Sequence, residues 1–345
     1  MNKIVKRYFI DAMGGMAQGL FASLLTGTII KTLGQQLLRI NVNPAFQFLV
    51  DAGSFCSDAH VVGAAMAVAI GLTLGAHPLV IFSLATVGSC TNVLGGAGGP
   101  LAVFVIATVA SEVGMLVSKK TKVDILVTPI VTILTGTLLA VLFAKWIGLA
   151  ASSIGNVIMW ATNLQPFIMG IIVSVVVGIV LTLPISSAAI CAALGLTGLA
   201  GGAAVAGCCA QMVGFAVLSF RENKWGGIVS QGLGTSMLQM PNIIKNPKIW
   251  LPAIITSAIT GPISTCLFKM EMNGAPVSSG MGTCGLVGPI GVISGWYKEG
   301  ASGAGFVDWL GMILVCIVLP AVLCWALGLL FRKIGWIKEN DLLLD

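Results

Sequence analysis

The chain has 345 residues, of which 57% are hydrophobic and 9% are charged, and its formal net charge is +6. Because a soluble globular domain carries about 25% charged residues, this composition excludes a soluble protein and predicts an all-α polytopic protein in a lipid bilayer. No polar interval is long enough for a core of its own, so we expect one membrane domain over residues 1–345.

The basic residues occur in short clusters, and each cluster lies beside an apolar run. Lysine and arginine in short loops mark the cytoplasmic side of a membrane protein, so this pattern predicts that both termini are cytoplasmic. The pattern also explains the positive charge without a nucleic-acid partner. The clusters are Lys3, Lys6 and Arg7; Lys119, Lys120 and Lys122; Arg221 and Lys224; Lys245 and Lys248; and Arg332, Lys333 and Lys338.

Apolar runs along the chain predict about ten transmembrane helices, because each is long enough to cross roughly 30 Å of hydrocarbon. Ile185–Leu218 is long enough for more than one pass and is rich in Ala and Gly, which predicts a helical hairpin or a broken helix. The single runs are Phe9–Ile30, Val61–Phe82, Pro100–Val117, Val123–Ile147, Pro166–Leu183, Ile249–Phe268 and Trp309–Phe331.

Four neutral segments have the composition of broken or re-entrant backbone. Backbone of this kind is tolerated at membrane depth only where protein or a water-filled cavity satisfies its polar groups. A lining of Ser, Thr, Asn and Gln would suit a hydroxyl-rich ligand, whereas tight packing or an interfacial turn is the simpler alternative. The segments are Asp51–His60, Gly88–Pro100, Ser186–Gln211 and Asn273–Val292.

A parallel internal repeat of about 124 residues is a further prediction. Ala64–Ala76 matches Ala188–Ala200 at seven of thirteen positions, and shorter matches continue at nearly the same offset. Repeat units at residues 44–155 and 166–282 follow from this alignment. Chance similarity between segments made largely of Ala, Gly, Leu and Thr is the alternative.

Polar side chains within or beside the broken segments are the candidate solute ligands. Of the carboxylates, Glu271 or Glu112 is predicted to supply a charged group, because charge near a span is costly. Asp58 and His60 form a pair that could bind a hydroxyl or relay a proton, or that simply caps the following helix. The candidate hydrogen-bonding groups are Thr91, Asn92, Gln211, Asn273, Ser278, Ser279 and Thr283.

Motifs for catalysis, metal binding or a cofactor are absent from the sequence. None of its nine cysteines forms a C-x-x-C pair, and small residues of this kind favour close packing of membrane helices. There is no H-E-x-x-H, no phosphate-binding P-loop and no G-x-S-x-G. We therefore predict a protein that is not an enzyme and that needs no metal and no cofactor.

The segments Gly95–Pro129 ("GGAGGPLAVFVIATVASEVGMLVSKKTKVDILVTP") and Ser278–Gly291 ("SSGMGTCGLVGPIG") resemble the membrane subunits IIC of the bacterial phosphoenolpyruvate-dependent sugar phosphotransferase system. The likeness is closest to a stand-alone IIC-like branch that includes toxin-regulator-like proteins. It implies a homodimer in the bacterial cytoplasmic membrane, with a scaffold part and a carrier part that holds two re-entrant hairpins. The carrier would move like an elevator, and a separate IIB protein, itself charged from IIA, would phosphorylate the sugar.

Some features depart from that family's pattern. Many glucose-type IIC proteins place a Glu and a His beside the sugar, but His60 and His77 both lie in the first quarter of this chain, and Glu271 lies outside that motif. The leading interpretation is an elevator-type, IIC-like transporter for a small polar solute such as a sugar. The alternatives are a ligand-sensing membrane regulator and an ion-gradient-coupled carrier of a small organic anion without phosphotransferase coupling.

Overall fold

The computed structural model describes residues 6–40, 44–297 and 303–344, and its regular structure within these ranges is helical. The prediction of an all-α fold is confirmed. The chain divides into two compact units, Met1–Ser152 (unit 1) and Ser153–Asp345 (unit 2). The single membrane domain over 1–345 stays a prediction. Lys3 of the first basic cluster lies outside the described residues.

Unit 1 is made of helices that pack through small residues. Gly63 and Gly88 lie against each other's carbonyl groups, which leaves no room for a side chain between their two helices. Short π-helical segments join α1 to α2 and α7 to α8, and α8 leads the chain into unit 2. The helices are α1 (Ala12–Leu20), α2 (Thr26–Ile40), α3 (Pro44–Cys56), α4 (Ala59–Thr73), α5 (Pro78–Gly95), α6 (Gly99–Val117), α7 (Asp124–Leu139) and α8 (Lys145–Thr162).

Unit 2 is built around one central helix, α11, which is buried along almost its whole length. Gly207 of α11 lies against Ser174 of α9, and Gly214 lies against Cys324 of α17. The helices are α9 (Pro166–Thr182), α10 (Ser187–Ala193), α11 (Gly198–Leu218), α12 (Phe220–Val229), α13 (Met240–Lys245), α14 (Leu251–Pro262), α15 (Val287–Trp296), α16 (Phe306–Ile313) and α17 (Leu319–Ile334).

The described residues contain six helical runs that are long and apolar enough to cross a membrane, or seven if the bent pair α3 and α4 counts as one span. Two shorter apolar helices, Pro166–Thr182 and Cys284–Trp296, add to these. The predicted count of about ten is not confirmed. The six runs are Lys6–Leu38, Pro78–Val117, Asp124–Thr162, Gly198–Leu218, Pro247–Leu267 and Phe306–Ile334.

The apolar run Val61–Phe82 is not one continuous helix, and the expectation that His77 before Pro78 ends or kinks a span is confirmed. Helix α4 ends at Thr73, and α5 begins at Pro78. Gly75 has a φ of 70°, a left-handed conformation that ends a helix at little cost for glycine. Proline in the first turn then starts the next helix, because it has no N–H that needs a partner there.

Two other predicted breaks are located more narrowly by the structure. The break in Asp51–His60 is a bend of 56° between α3 and α4. In Gly88–Pro100, α5 continues to Gly95, and a short 3-10 turn at Gly96–Gly98 separates it from α6. Gly114 near the end of α6 lies against Val80 near the start of α5. Helices α5 and α6 are therefore antiparallel, and the chain reverses at the glycines.

The internal repeat is not confirmed. The predicted alignment pairs Gly71 with Gly195. Gly71 lies inside α4, whereas Gly195 has a φ of 61° in the turn that follows α10. The two residues therefore have different backbone conformations at the best-matched part of the alignment, and the units 44–155 and 166–282 stay a prediction.

Candidate functional site

A hairpin at residues 270–296, here called hairpin A, contains most of the neutral segment Asn273–Val292. Its two arms run side by side, because Gly274 lies against Gly291 and Gly295 lies against Asn273. Near its tip, Gly282 and Gly285 each have a φ of 52°. Glycine at these positions lets the chain turn within a short distance. The prediction of broken backbone in this segment is confirmed, while its position in a bilayer stays a prediction.

The first arm of hairpin A is held inside unit 2 by backbone and hydroxyl bonds. Met272 and Gly198 exchange two backbone hydrogen bonds of 3.0 and 2.9 Å. Ser279 Oγ donates to the carbonyl of Leu196 at 2.7 Å, and Ser187 Oγ donates to that of Gly280 at 2.7 Å. The arm therefore finds in α10, α11 and the turn between them the hydrogen-bond partners that an irregular segment needs when it is buried.

A second hairpin, hairpin B, comprises residues 220–245. Its arms are joined by Gln239 Nε2, which donates to Gln231 Oε1 at 2.9 Å, and Gln231 Nε2 donates to Ser219 Oγ at 2.7 Å. The open end is held by the segment that follows α17. Asn223 Nδ2 donates to the carbonyl of Leu342 at 2.7 Å, and Gln239 Nε2 donates to the same oxygen at 2.9 Å.

The two hairpins approach the centre of unit 2 from opposite ends of α11. The open end of hairpin A lies at Gly198, where α11 begins, and hairpin B is tied to Ser219, just after α11 ends. A helix of 21 residues is roughly 30 Å long. The tips meet where Thr283 Oγ1 of hairpin A donates a hydrogen bond to the carbonyl of Gly232 in hairpin B.

A buried polar cluster lies beside the meeting point of the tips, with Gln211 of α11 at its centre. Gln211 Oε1 accepts hydrogen bonds from Trp250 Nε1 at 2.8 Å and from Thr182 Oγ1 at 3.3 Å. Gln211 Nε2 donates to Ser257 Oγ at 3.3 Å. Thr182 also pairs with Ser236 of hairpin B at 2.8 Å. We call Thr182, Gln211, Ser236, Trp250 and Ser257 the tip cluster.

The predicted ligands in unit 2 fall into three groups. Gln211 and Thr283 lie at the tip cluster and at the tip of hairpin A. Ser278 and Ser279 are buried on the arm of hairpin A. Glu271 and Asn273 lie at its open end, where Asn273 Nδ2 donates to Glu271 Oε2 at 2.8 Å. Their contact with a solute stays a prediction.

The predicted ligands in unit 1 all take part in contacts within that unit. Thr91 Oγ1 donates to the carbonyl of Val87 at 2.6 Å, and Asn92 Nδ2 donates to that of Ala59 at 2.8 Å. Glu112 forms an ion pair of 2.8 Å with Arg7. His60 Nδ1 lies 2.8 Å from Ser89 Oγ. These bonds show a packing role, and a role in solute binding stays a prediction.

Sequence reasoning missed four members of the tip cluster. Thr182 and Ser236 come from two separate segments, Trp250 and Ser257 both come from Pro247–Leu267, and all four lie in apolar or glycine-rich stretches. No spacing rule connects such residues, because the folded contacts alone bring them to Gln211. The only sequence signal for these members is that a polar residue inside an apolar run tends to face the protein interior and not the lipid.

Asp58 caps α4, which confirms the simpler interpretation of the Asp58–His60 pair. Asp58 has extended backbone angles, and its Oδ1 accepts a hydrogen bond of 2.9 Å from the backbone N–H of His60. We expect Asp58→Ala to destabilise the protein by about 1 kcal/mol through loss of the cap. Asp58→Asn keeps the acceptor and is the matched control. Thermal unfolding in detergent measures both, and equal destabilisation by the two variants would contradict a capping role.

These observations define the class of protein: a polytopic helical membrane protein in which two opposed hairpins meet at a buried polar cluster, as in transporters with a central binding site. The chain belongs to the family "Phosphotransferase system, EIIC", whose family model matches residues 10–344. This family forms the membrane sugar-transport component of the phosphotransferase system and acts with IIA and IIB partners. The protein is therefore an integral protein of the cytoplasmic membrane. No curated protein and no solved structure gave a match.

Proposed function

We propose that this protein is an elevator-type sugar permease subunit that binds one small, uncharged, hydroxyl-rich solute between the tips of hairpins A and B. The observation that carries the proposal is the meeting of the two tips beside the tip cluster. Transporters of several folds bind their substrates where interrupted helices end near the middle of the membrane. The same site favours transport over sensing alone, because it is approached from both ends of α11.

The chemistry of the tip cluster matches a sugar. Its side chains are an amide, hydroxyls and an indole N–H, which together offer both donors and acceptors. The hydrogen bonds of Gln211 involve no carboxylate and no basic side chain. Burying a charged solute there would be costly without an opposite charge. A neutral polyol instead can replace the existing bonds of Gln211 and Thr283 one for one.

The two units have different roles in this proposal. Unit 2 is the carrier, because it holds both hairpins, and unit 1 is the scaffold and the site of homodimer formation. Ser278 and Ser279 support hairpin A, and Glu271 and Asn273 lie at its entrance. The end of unit 2 that carries Arg221, Lys245 and Arg332 faces the cytoplasm by the positive-inside pattern, and both termini lie there too. A IIB partner would phosphorylate the solute at the cytoplasmic end, beside hairpin B.

Uptake by the purified protein in proteoliposomes tests this function. A panel of radiolabelled sugars is offered with no gradient, with an imposed ion gradient, and with IIB and phosphorylated IIA inside the vesicles. We expect saturable uptake of at least one sugar, and phosphorylated product only when the partner proteins are present. Specific binding of a sugar without any flux would contradict the proposal, as would gradient-driven uptake restricted to organic anions.

The bond between Thr283 and Gly232 is expected to hold the tips together when no solute is bound. Thr283→Val keeps the shape of the side chain but removes the hydrogen-bond donor. The closed arrangement of the tips should therefore lose about 1 kcal/mol of stability, which raises the population of open tips roughly fivefold. Cys284 is buried at the tip, and its rate of thiol labelling, resolved by mass spectrometry, measures the opening. Thr283→Ser keeps the hydroxyl and is the control. An unchanged rate in Thr283→Val would contradict the role of this bond.

A further inference from the structure

A pocket of about 340 Å³ lies away from the tip cluster, between α12 and the neighbouring parts of α11 and α17. The residues contributed by α17 recur at a spacing of three or four, so they form one face of that helix. The lining is mostly apolar and includes two tryptophans and two arginines. The lining residues are Val217, Leu218, Phe220, Arg221, Trp225, Ile228, Trp325, Gly328, Leu329 and Arg332.

The two arginines of the pocket differ in their partners. Arg332 forms a largely buried ion pair of 2.8 Å with Glu222 and also donates to the carbonyl of Leu218 at 3.2 Å. The side chain of Arg221 is exposed, and no hydrogen bond or ion pair joins its guanidinium to another residue that the structure describes. The charge of Arg332 is therefore already matched by a carboxylate, whereas the guanidinium of Arg221 is available to an external anion.

The rim has the features of a membrane–water interface. Trp225 and Trp325 are 73% and 58% exposed, and tryptophan is enriched at the headgroup level of membrane proteins. Phe220 packs edge-on against Trp225 with 5.6 Å between ring centroids, and Lys224 Nζ lies 6.0 Å from the centroid of Phe220. Cation and aromatic groups thus surround the mouth of an apolar pocket.

We propose that this pocket binds one anionic phospholipid. The lipid phosphate pairs with Arg221 at the rim, and part of an acyl chain lies along the apolar floor formed by Val217, Ile228 and Leu329. Basic pockets between membrane helices attract anionic lipid headgroups, and a carboxylate that would repel one is absent from the lining. The charge of the rim and the apolarity of the floor together select a lipid rather than a soluble anion.

Native mass spectrometry of the full chain in detergent tests the site, with phosphatidylglycerol and phosphatidylcholine of identical acyl chains as probes. We expect phosphatidylglycerol to bind at least tenfold more tightly. Arg221→Gln should remove about a factor of ten from that affinity by deleting one charge-assisted bond. It should weaken phosphatidylcholine less, because the choline ammonium of that lipid already offsets the charge of its phosphate. Lys338→Gln removes one charge from an exposed position outside the pocket and is the matched control, with no expected effect.

Two further experiments distinguish a bound lipid from other occupants of the pocket. Leu329→Trp fills the floor without changing charge, and should weaken phosphatidylglycerol severalfold while the melting temperature is retained. Glycerol 3-phosphate has the anion but no acyl chain, and should fail to displace the lipid. Equal losses in Arg221→Gln and Lys338→Gln would overturn the proposal in favour of general charge attraction. Displacement by glycerol 3-phosphate would overturn it in favour of a soluble anion.

Discussion

Replacement of Gln211 by methionine is expected to abolish sugar uptake while leaving a folded protein. Methionine has nearly the same shape, but it cannot donate to Ser257, and its thioether is only a weak acceptor for Trp250 and Thr182. In the proposed site the amide binds a solute hydroxyl, and removal of the amide leaves that hydroxyl buried without a partner. This weakens solute binding by about 1–3 kcal/mol. That range corresponds to roughly 5- to 150-fold in affinity, so we expect uptake to fall by at least tenfold.

The same substitution should lower stability only moderately. Thr182 and Ser257 keep other hydrogen bonds, to Ser236 and to the carbonyl of Ala253, so the indole N–H of Trp250 is the main group left without a partner. One orphaned donor costs about 1–3 kcal/mol. Thermal unfolding in detergent and sugar uptake in proteoliposomes, measured on one preparation, separate the two effects.

Met212→Leu is the matched control for this prediction, because Met212 is the next residue of α11 and is also fully buried. An apolar exchange of similar volume costs less than about 1.5 kcal/mol, and uptake should stay near that of the unmodified protein. Normal uptake by a folded Gln211→Met variant would show that Gln211 is not part of the binding site. A parallel loss in Met212→Leu would show that packing of α11, rather than the amide, controls uptake.

Hairpin A could be predicted from the sequence because two local signals coincide there. Residues 273–292 contain glycine and proline, which disfavour a continuous helix, and they contain no charged residue. Buried irregular backbone shows this combination, since exposed loops in water are free to carry charge. Hairpin B was not recognised. Its helix α12 contains Arg221, Glu222 and Lys224, and charged residues at this density are typical of an ordinary exposed loop.

The limits of the remaining predictions have physical causes. The proline at Pro78 indicated an end or a kink in Val61–Phe82, but hydropathy alone does not register a turn as short as Leu74–Ala76. The turn depends on the backbone angles of Gly75, which composition does not encode. The partners of Gln211 were missed because hydrogen bonds between α9, α11, α14 and hairpin B join residues that are distant in sequence.

Substitution of Gly207 by alanine is expected to disrupt unit 2 itself. A Cβ at Gly207 would overlap the backbone carbonyl of Ser174 in α9. Neither helix can move aside easily, because Ser174 Oγ donates to the carbonyl of Ser257 in α14 at 2.7 Å, and Gly170 and Gly261 are themselves in backbone contact. Overpacking of this kind costs about 1–3 kcal/mol and sometimes more, so we expect a loss of at least 3 kcal/mol and a clear fall in melting temperature.

Gly226→Ala is the matched control for Gly207→Ala, because it adds the same methyl group to another helical glycine of unit 2. No atom lies within 4 Å of a Cβ at Gly226, and alanine is favoured over glycine in a helix by about 1 kcal/mol. This variant should therefore be as stable as the unmodified protein or more so. Equal melting temperatures for the two variants would contradict the close contact between α9 and α11. Because those helices also hold Thr182 and Gln211, Gly207→Ala should lose uptake and stability together, whereas Gln211→Met should lose mainly uptake.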